Sequence, residues 1–314
     1  MVRINVLSLS LSLSLLAVVS SVYYGKTIGP VKTNAHSFTG TVYAANDTSV
    51  VITGLNYDGK GPAAYFWAGF NTDLDNNADK LLDEHGSDKV LKAYTNAEVR
   101  LTLPKKITAY KSLGIYCKQF GADFGNVKIP DGYELPKEQS LGKLSPKQHN
   151  TMAAEVILKD SSTMVLKQFE YDDTKCSGSA FFVSAPSDNP PPDQLTRLSY
   201  DNGKTTKLER YDKKDVIVTL PDSQSWNDFK WFSVYCIDAK QSYADIAIDP
   251  ALSEKVPLHV SRLASHASPD NSPNAGSTLG PLSVLSVFSL GVATVVAAIA
   301  TSECFGARHR VKSC

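Results

Sequence analysis

The sequence predicts an all-β protein with two tandem domains, each a β-sandwich or barrel-like sheet, together with a signal peptide and a C-terminal transmembrane helix. Apolar runs in the middle of the chain are short, rich in β-branched and aromatic residues, and separated by turn residues. No long stretch there has helical periodicity. The same order of motifs occurs twice, and both chain ends carry apolar segments without charge.

Composition is consistent with this assignment. A chain of 314 residues has room for two domains of ordinary size. An apolar content of 42% and a charged content of 20% are typical of a folded protein. The formal net charge is zero, so nothing in the charge balance indicates a nucleic-acid partner.

Residues 1–21 have the layout of a signal peptide. One arginine, Arg3, precedes the apolar stretch Val6–Val19, and the small residues Ser20 and Ser21 follow it. The Leu/Ser alternation of this stretch would also suit a buried strand. Its position at the start of the chain favours the signal peptide, which would place the central part of the chain outside the cell or in a lumen.

Residues 279–300 predict a transmembrane helix. They carry no charge and are long enough to span a bilayer. The basic residues of the tail 301–314, at positions 308, 310 and 312, would hold that end in the cytoplasm and give a single-pass type I membrane protein. A glycolipid anchor and secretion are the alternatives, but a glycolipid-anchor signal should end apolar and this one ends basic.

The central part of the chain contains two copies of one unit. Tyr57-Asp58 and Tyr116-Cys117 recur as Tyr171-Asp172 and Tyr235-Cys236, at offsets that drift upward as loop insertions would make them. The repeat predicts domains at 30–130 and 149–250, joined by a linker at 131–148 and followed by a Ser- and Pro-rich stalk at 251–278.

A glycine-rich turn opens the aromatic strand of the first unit. Gly59, Gly61 and Pro62 lie between Tyr57 and the aromatic run 65–67. No Lys-Ser or Lys-Thr pair and no helix follows them, so they predict a tight turn and not a phosphate-binding loop.

Cys117 and Cys236 end equivalent predicted strands. Since alternate residues of a strand share a face, each cysteine lies with the apolar residues and points toward its core. A buried cysteine is often only a small apolar residue. The alternative is a core-facing thiol that takes part in redox chemistry or binds a metal or haem iron.

Cys176 is a third cysteine in the part of the chain predicted to lie outside the cell. An odd number leaves one cysteine unpaired within a monomer. A Cys176–Cys236 disulfide would leave Cys117 free, which we favour because a Cys117–Cys236 disulfide would have to join two domain cores. An intermolecular disulfide through Cys176 is the other alternative.

One N-linked glycosylation acceptor lies in this central part. Asn46-Asp47-Thr48 fits the N-x-[ST] pattern at a predicted hairpin tip, where a glycan could be accommodated.

The first unit resembles the DM13 domain, a cell-surface module. The resemblance rests on a set of motifs in order: His36 with Gly40-Thr41-Val42, then Leu55-x-Tyr57-Asp58-Gly59-x-Gly61-Pro62-x-Ala64-Tyr65-Phe66-Trp67-x-Gly69, Leu103-Pro104, Ile115-Tyr116-Cys117 and Phe124-Gly125-x-Val127. The second unit keeps several of these motifs but lacks the Gly-Pro pair and the tryptophan that follows it.

The resemblance implies an extracellular electron-transfer role. It would make Cys117 and Cys236 redox thiols acting on cell-surface or extracellular-matrix proteins. The resemblance implies that this cysteine works either as a bare thiol or as a ligand for a prosthetic group such as haem. A haem needs one or two axial ligands, and His36 is a candidate for the second if the fold brings it near Cys117. The alternative function is a non-catalytic binding or adhesion module in which the cysteines are structural.

Overall fold

The structure is a computed structural model that describes residues 22–188 and 190–259. The predicted signal peptide, transmembrane helix and cytoplasmic tail lie outside the described residues, as does the stalk from residue 260 onward. Among the residues that are described, no helix is long and apolar enough to cross a membrane.

The prediction of an all-β fold is confirmed: the described residues form eighteen strands, β1 to β18, four 3-10 helices of three residues each and one short α-helix, α1. The first module contains β1 Lys26–Pro30, β2 Lys32–Thr33, β3 Thr39–Ala44, β4 Ser49–Tyr57, β5 Ala64–Gly69, β6 Ala78–Lys80, β7 Tyr94–Thr102, β8 Ser112–Cys117 and β9 Ala122–Lys128. The second module contains β10 Gln139–Pro146, β11 Ala153–Leu158, β12 Thr163–Tyr171, β13 Ala180–Ala185, β14 Thr196–Arg197, β15 Ser199–Tyr200, β16 Tyr211–Thr219, β17 Trp231–Cys236 and β18 Gln241–Ala247, and is followed by α1 Pro250–Ser253.

The two modules repeat one antiparallel topology. In the first, the strands form two sheets with the orders β1-β3-β4-β7 and β2-β9-β8-β5-β6. In the second, β10 pairs with both β11 and β18, so the two equivalent sheets join into one nine-stranded sheet, β14-β13-β17-β18-β10-β11-β12-β16-β15. The single strand β10 therefore takes the place of β1 and β2 together, and the second module is a barrel-like sheet.

Each module has an apolar core between the inner faces of its sheet halves. Phe38, Ile52, Phe66 and Ile115 are fully buried in the first core. Because strand residues alternate between faces, β5 and β8 send every second side chain into this core and leave the others on the outer face. The outer-face residues Trp67 and Tyr116 pack together under a loop that contributes Leu74.

The segment predicted to be a linker, 131–148, contains β10. The sequence of this strand shows little alternation of apolar and polar residues, and only Leu144 is fully buried. The strand is instead defined by pairing, since Ser145 lies opposite Asp245 and Gly142 lies opposite Val156. These residues belong to the second module, and the connection between the modules is correspondingly shorter than the sequence suggested.

The first residues of the predicted stalk are docked between the modules. Val256 and Leu258 are buried, and the Tyr23 hydroxyl donates to the carbonyl of Val256 at 2.7 Å. The Leu258 N–H donates to the carbonyl of Ala45 at 2.7 Å. His259 bonds Asp160 through Nδ1 at 2.9 Å. Residues 251–259 are therefore part of the folded unit, because the first module supplies partners for their backbone.

Candidate functional site

Cys117 is the free cysteine of the described residues and lies fully inside the first core. It is the last residue of β8, on the same face as Leu113 and Ile115, as strand alternation predicted. Its neighbours across the sheet are two alanines, Ala64 on β5 and Ala122 on β9.

Cys236 occupies the same place in the second core. It ends β17 and lies opposite Ala180 on β13, as Cys117 lies opposite Ala64. The structure joins Cys236 to Cys176 in a disulfide that closes a sequence separation of 60 residues. In this structure Cys236 is therefore a disulfide member, which is the second of the two roles that the sequence offered for it.

The turn between β4 and β5 lies beside Cys117. The Gly61 N–H donates to the Tyr57 hydroxyl at 2.9 Å. A Cβ on Gly61 would lie 2.6 Å from that hydroxyl, 2.6 Å from the Phe124 ring and 2.7 Å from the Ala64 Cβ. Glycine is required at this position by close packing, and the turn presses directly on the groups around the thiol.

The Tyr57 hydroxyl is buried, and a charge on Cys117 would affect its pKa. Burial raises the pKa of this phenol, the Gly61 N–H lowers it, and the charges of Asp58 and of a Cys117 thiolate raise it, so the net pKa lies above the ordinary value. Tyr57 is thus neutral at physiological pH, and its ring fills the core beside the thiol.

His36 is held at the rim of this site and not at the sulfur. Its backbone has a φ of 54°, and its Nδ1 lies 3.0 Å and 3.1 Å from the two carboxylate oxygens of Asp58. Its ring lies 4.0 Å from that of Phe124 and 6.2 Å from that of Tyr57, centroid to centroid. None of the hydrogen bonds or ring contacts of His36 involves Cys117.

Asp58 ties the turn to His36. Burial raises the pKa of its carboxyl, but the hydrogen bond from the Lys60 N–H and the contact with His36 outweigh this, so the net pKa lies below the ordinary value. The Asp58 N–H also donates to the carbonyl of His36 at 3.2 Å. The sequence identified Asp58 only as a turn residue. Its pairing with His36 joins the two ends of the β3–β4 hairpin, and no motif near either residue in the sequence predicts this contact.

Haem, which the resemblance implied as one possibility at Cys117 and for which His36 was a candidate second ligand, does not fit this arrangement. The Cys117 sulfur is enclosed by the core, and the neighbouring turn cannot accept even one methyl group at Gly61. The His36 Nδ1 is bonded to Asp58, and its ring lies against Phe124. Within residues 22–188 and 190–259, no group of three or more His, Cys, Asp or Glu side chains could hold a metal ion.

Asn46 lies in the hairpin between β3 and β4, as predicted. Its side-chain oxygen accepts a hydrogen bond from the Thr48 N–H at 2.9 Å. The residue is partly exposed. The glycan at this position stays a prediction.

Comparison with known proteins identifies related sequences. The family model described as "Electron transfer DM13" matches residues 30–129 and 143–248. Protein Skeletor, isoforms B/C, of Drosophila melanogaster is 34% identical over 219 residues, which are 68% of this chain and 27% of that protein. Isoforms D/E are 34% identical over 219 residues, which are 14% of their length. The chain thus matches no more than about a quarter of each relative. No solved structure matches.

Proposed function

The chain belongs to the DM13 family of electron-transfer domains, of which it carries two in tandem, and from this premise we propose that it takes part in extracellular electron transfer. In this proposal Cys117 is the redox-active group, and proteins of the cell surface or extracellular matrix are its substrates. The observation that carries the proposal is the free, core-facing thiol of the first module.

The surroundings of Cys117 support a bare thiol in preference to a haem ligand. Cys117 is fully buried, with Ala64 and Ala122 as its partners on the adjacent strands, and Gly61 in the neighbouring turn has no room for a methyl group. A thiol can lose a proton and form a bond to another sulfur without any cofactor. The second module, whose equivalent sulfur is bonded to Cys176, is assigned a supporting role in this proposal.

The proposed location is the outer face of the cell membrane. Residues 1–21 would direct the chain into the secretory pathway and residues 279–300 would anchor it, with 301–314 in the cytoplasm. This orientation would place both modules in an oxidising compartment, where the Cys176–Cys236 disulfide persists.

The alternative, a binding or adhesion module with structural cysteines, is favoured by the complete burial of Cys117. A comparison of cells expressing the wild-type chain with cells expressing Cys117→Ala separates the two functions. Surface and matrix proteins would be labelled with a membrane-impermeant maleimide, and their free thiols would be compared. We expect a set of proteins whose thiol state depends on Cys117. Identical labelling patterns on wild-type and Cys117→Ala cells would reject the redox function and support the adhesion function.

A further inference from the structure

Three loops meet at one end of the first module. They are the β4–β5 turn, the segment before β7 and the β8–β9 hairpin, which are residues 58–63, 87–93 and 118–121. The Leu91 N–H donates to the carbonyl of Ala64, and the Lys118 N–H donates to the carbonyl of Ala63, each at 3.0 Å. The β4–β5 turn therefore lies between the other two loops, and we call the three loops together the tip of the first module.

Two large apolar side chains are exposed at this tip. Phe120 is 67% exposed, more than any other large apolar residue that the structure describes, and Val90 is 39% exposed. The neighbours of Phe120 in the hairpin, Gln119 and Gly121, are also exposed. Burial in the core of the module therefore does not explain the phenylalanine at position 120.

Exposed lysines surround these apolar side chains. The tip carries four of them: Lys60, Lys89, Lys92 and Lys118. Within the described part of the chain, none of their ammonium groups forms an ion pair with a carboxylate. The two acidic residues of the tip are Asp58 and Asp88, and the Asp58 carboxylate is bonded to the His36 Nδ1 at 3.0 Å. The tip thus presents an excess of positive charge around its exposed apolar groups.

The equivalent end of the second module lacks the apolar groups. Its loops are residues 172–179, 204–210 and 237–240, which carry five basic and four acidic residues. The Leu208 N–H donates to the Ala180 carbonyl at 2.9 Å and the Ile237 N–H to the Ser179 carbonyl at 3.0 Å, as Leu91 and Lys118 do in the first module. Lys207 therefore takes the place of Val90, and Ala239 takes the place of Phe120. Since the second module forms the same hairpin with alanine, the fold does not require an aromatic residue there.

We infer that the tip of the first module docks on an anionic lipid surface, with the Phe120 ring in the interfacial layer and the lysines among the headgroups. An apolar side chain gains free energy when it leaves water for a lipid interface, and it needs no pocket of matching shape there. Each lysine close to anionic headgroups adds an electrostatic attraction. A stable protein interface would instead bury a wider apolar centre than the two side chains of this tip supply.

This inference is independent of the proposed redox function, because no sulfur takes part in the docking. It concerns the orientation of the first module. Lys118 directly follows Cys117 at the end of β8, so docking would turn the end of the module that contains Cys117 toward the bilayer.

The experiment measures how closely position 120 approaches lipid. The full chain carrying Phe120→Trp is reconstituted in vesicles of phosphatidylcholine with brominated acyl chains, which quench tryptophan fluorescence on contact, with and without phosphatidylserine. The native residues Trp67, Trp226 and Trp231 are buried, and the wild-type chain gives their background. Ala239→Trp, in the equivalent hairpin of the second module, is the matched control. We expect quenching at position 120 that requires phosphatidylserine, and no quenching above the background at position 239.

Neutralising lysines of the tip tests the contribution of charge. In the Phe120→Trp chain, Lys89→Gln with Lys92→Gln should lower the ratio of docked to undocked tips by roughly ten- to thirtyfold. The control pair Lys175→Gln with Lys207→Gln, at the equivalent end of the second module, should change this ratio by less than about twofold. High salt should weaken the quenching at position 120, because it screens the attraction between lysines and headgroups.

The inference is overturned if position 120 is quenched no more than position 239, or if it is quenched equally with and without phosphatidylserine. Heparin provides a test for a soluble polyanion as the partner. A chain that binds heparin through Lys89 and Lys92 but shows no quenching at position 120 would have a polysaccharide site at the tip and no lipid site. The urea midpoint of each variant checks that it is folded. If Phe120→Trp fails to fold, Gln119→Trp keeps the phenylalanine and should show the same dependence on phosphatidylserine.

Discussion

The two modules share a fold but differ in how they use the sulfur at the end of the equivalent strand. In the first, Cys117 is a free thiol covered by a tight glycine turn. In the second, Cys236 is bonded to Cys176, which lies in a longer version of that turn. Since the first module forms the same sheets without the disulfide, the fold does not need it. The disulfide stabilises the second module and removes the reactivity of its core sulfur.

The hydrogen bonds that hold the turn next to each sulfur also differ between the two modules. In the first module the Gly61 N–H donates to the Tyr57 hydroxyl. In the second, the Tyr243 hydroxyl donates to the carbonyl of Lys175, the residue before Cys176. One turn is held by its own strand and the other by a neighbouring strand and a covalent bond. The second turn is therefore fixed covalently, and the first is not.

Removing the disulfide should give the largest effect on stability. Cys176→Ala releases a closed loop with a sequence separation of 60 residues. We expect the free energy of unfolding to fall by about 4 kcal/mol, as chain entropy predicts for a loop of that size. Urea unfolding with and without reductant measures it. The wild type should lose stability in reductant, and the variant should not change further.

Cys117→Ala is the matched control for this comparison. It removes one buried sulfur without opening a loop, and should cost only about 1 kcal/mol. Reductant should not alter the difference between this variant and the wild type. Equal losses in the free energy of unfolding for Cys176→Ala and Cys117→Ala would contradict the view that the Cys176–Cys236 disulfide stabilises the second module.

A second variant tests whether residues 254–258 belong to the folded unit. Tyr23→Phe removes the hydroxyl that donates to the carbonyls of Val256 at 2.7 Å and Glu254 at 3.2 Å. Leaving the buried Val256 carbonyl without this donor should cost about 1–2 kcal/mol. Native-state hydrogen exchange should show a faster rate for the Leu258 amide, which bonds Ala45.

Tyr24→Phe is the control for that experiment. Across the described part of the chain, no hydrogen bond is made by the Tyr24 hydroxyl, and its ring packs on Tyr43 at 5.6 Å. The change should alter stability by less than about 0.5 kcal/mol. An unchanged Leu258 exchange rate in Tyr23→Phe would mean that the segment is held by other contacts.

Much of the fold could be predicted from the sequence because its determinants are local. Strand alternation placed Cys117 and Cys236 on the core faces of β8 and β17, where the structure has them. The repeat identified two modules because the motifs keep their order. Turn residues marked the β4–β5 connection. In each case the information lies within about ten residues of the feature.

The remainder could not be predicted because its determinants are distant in sequence. Strand β10 has one fully buried residue, and its pairing with β18 involves residues about a hundred positions away. Val256 and Leu258 are buried by Tyr23 and Ala45 from the other end of the fold. The pairing of His36 with Asp58 depends on a hairpin that brings its two ends together.

The attachment of the first turn should depend on pH. The net pKa of Asp58 lies below its ordinary value, so the carboxylate stabilises the folded state above the unfolded pKa and loses this effect as pH falls through the folded pKa. We expect Asp58→Asn to be less stable than the wild type by roughly 0.5–1 kcal/mol at pH 7. This difference should shrink as pH falls below the ordinary aspartate pKa of about 4 and should close only once pH has passed through the lower pKa of Asp58 in the folded state.

Urea midpoints of both proteins between pH 3 and pH 8 measure this gap. His36→Gln removes the imidazole that bonds the Asp58 carboxylate, so it should reduce the difference in stability between aspartate and asparagine at position 58. A difference in stability between the wild type and Asp58→Asn that stays constant from pH 3 to pH 8 would mean that the Asp58 charge does not hold the turn.

The smallest expected effect on stability comes from the glycosylation acceptor, which the first module has and the second lacks. Asn46→Gln removes the acceptor and the hydrogen bond that Asn46 receives from the Thr48 N–H. Because the hairpin tip is also held by the bond from the Leu103 N–H to the Thr48 carbonyl, the loss should be roughly 0.5 kcal/mol. We expect the variant from secreting cells to lose a mobility shift that a glycosidase removes from the wild type. Thr48→Ser keeps an N-x-[ST] acceptor and should keep the shift, so loss of the shift in both variants would attribute it to the hairpin and not to a glycan at Asn46.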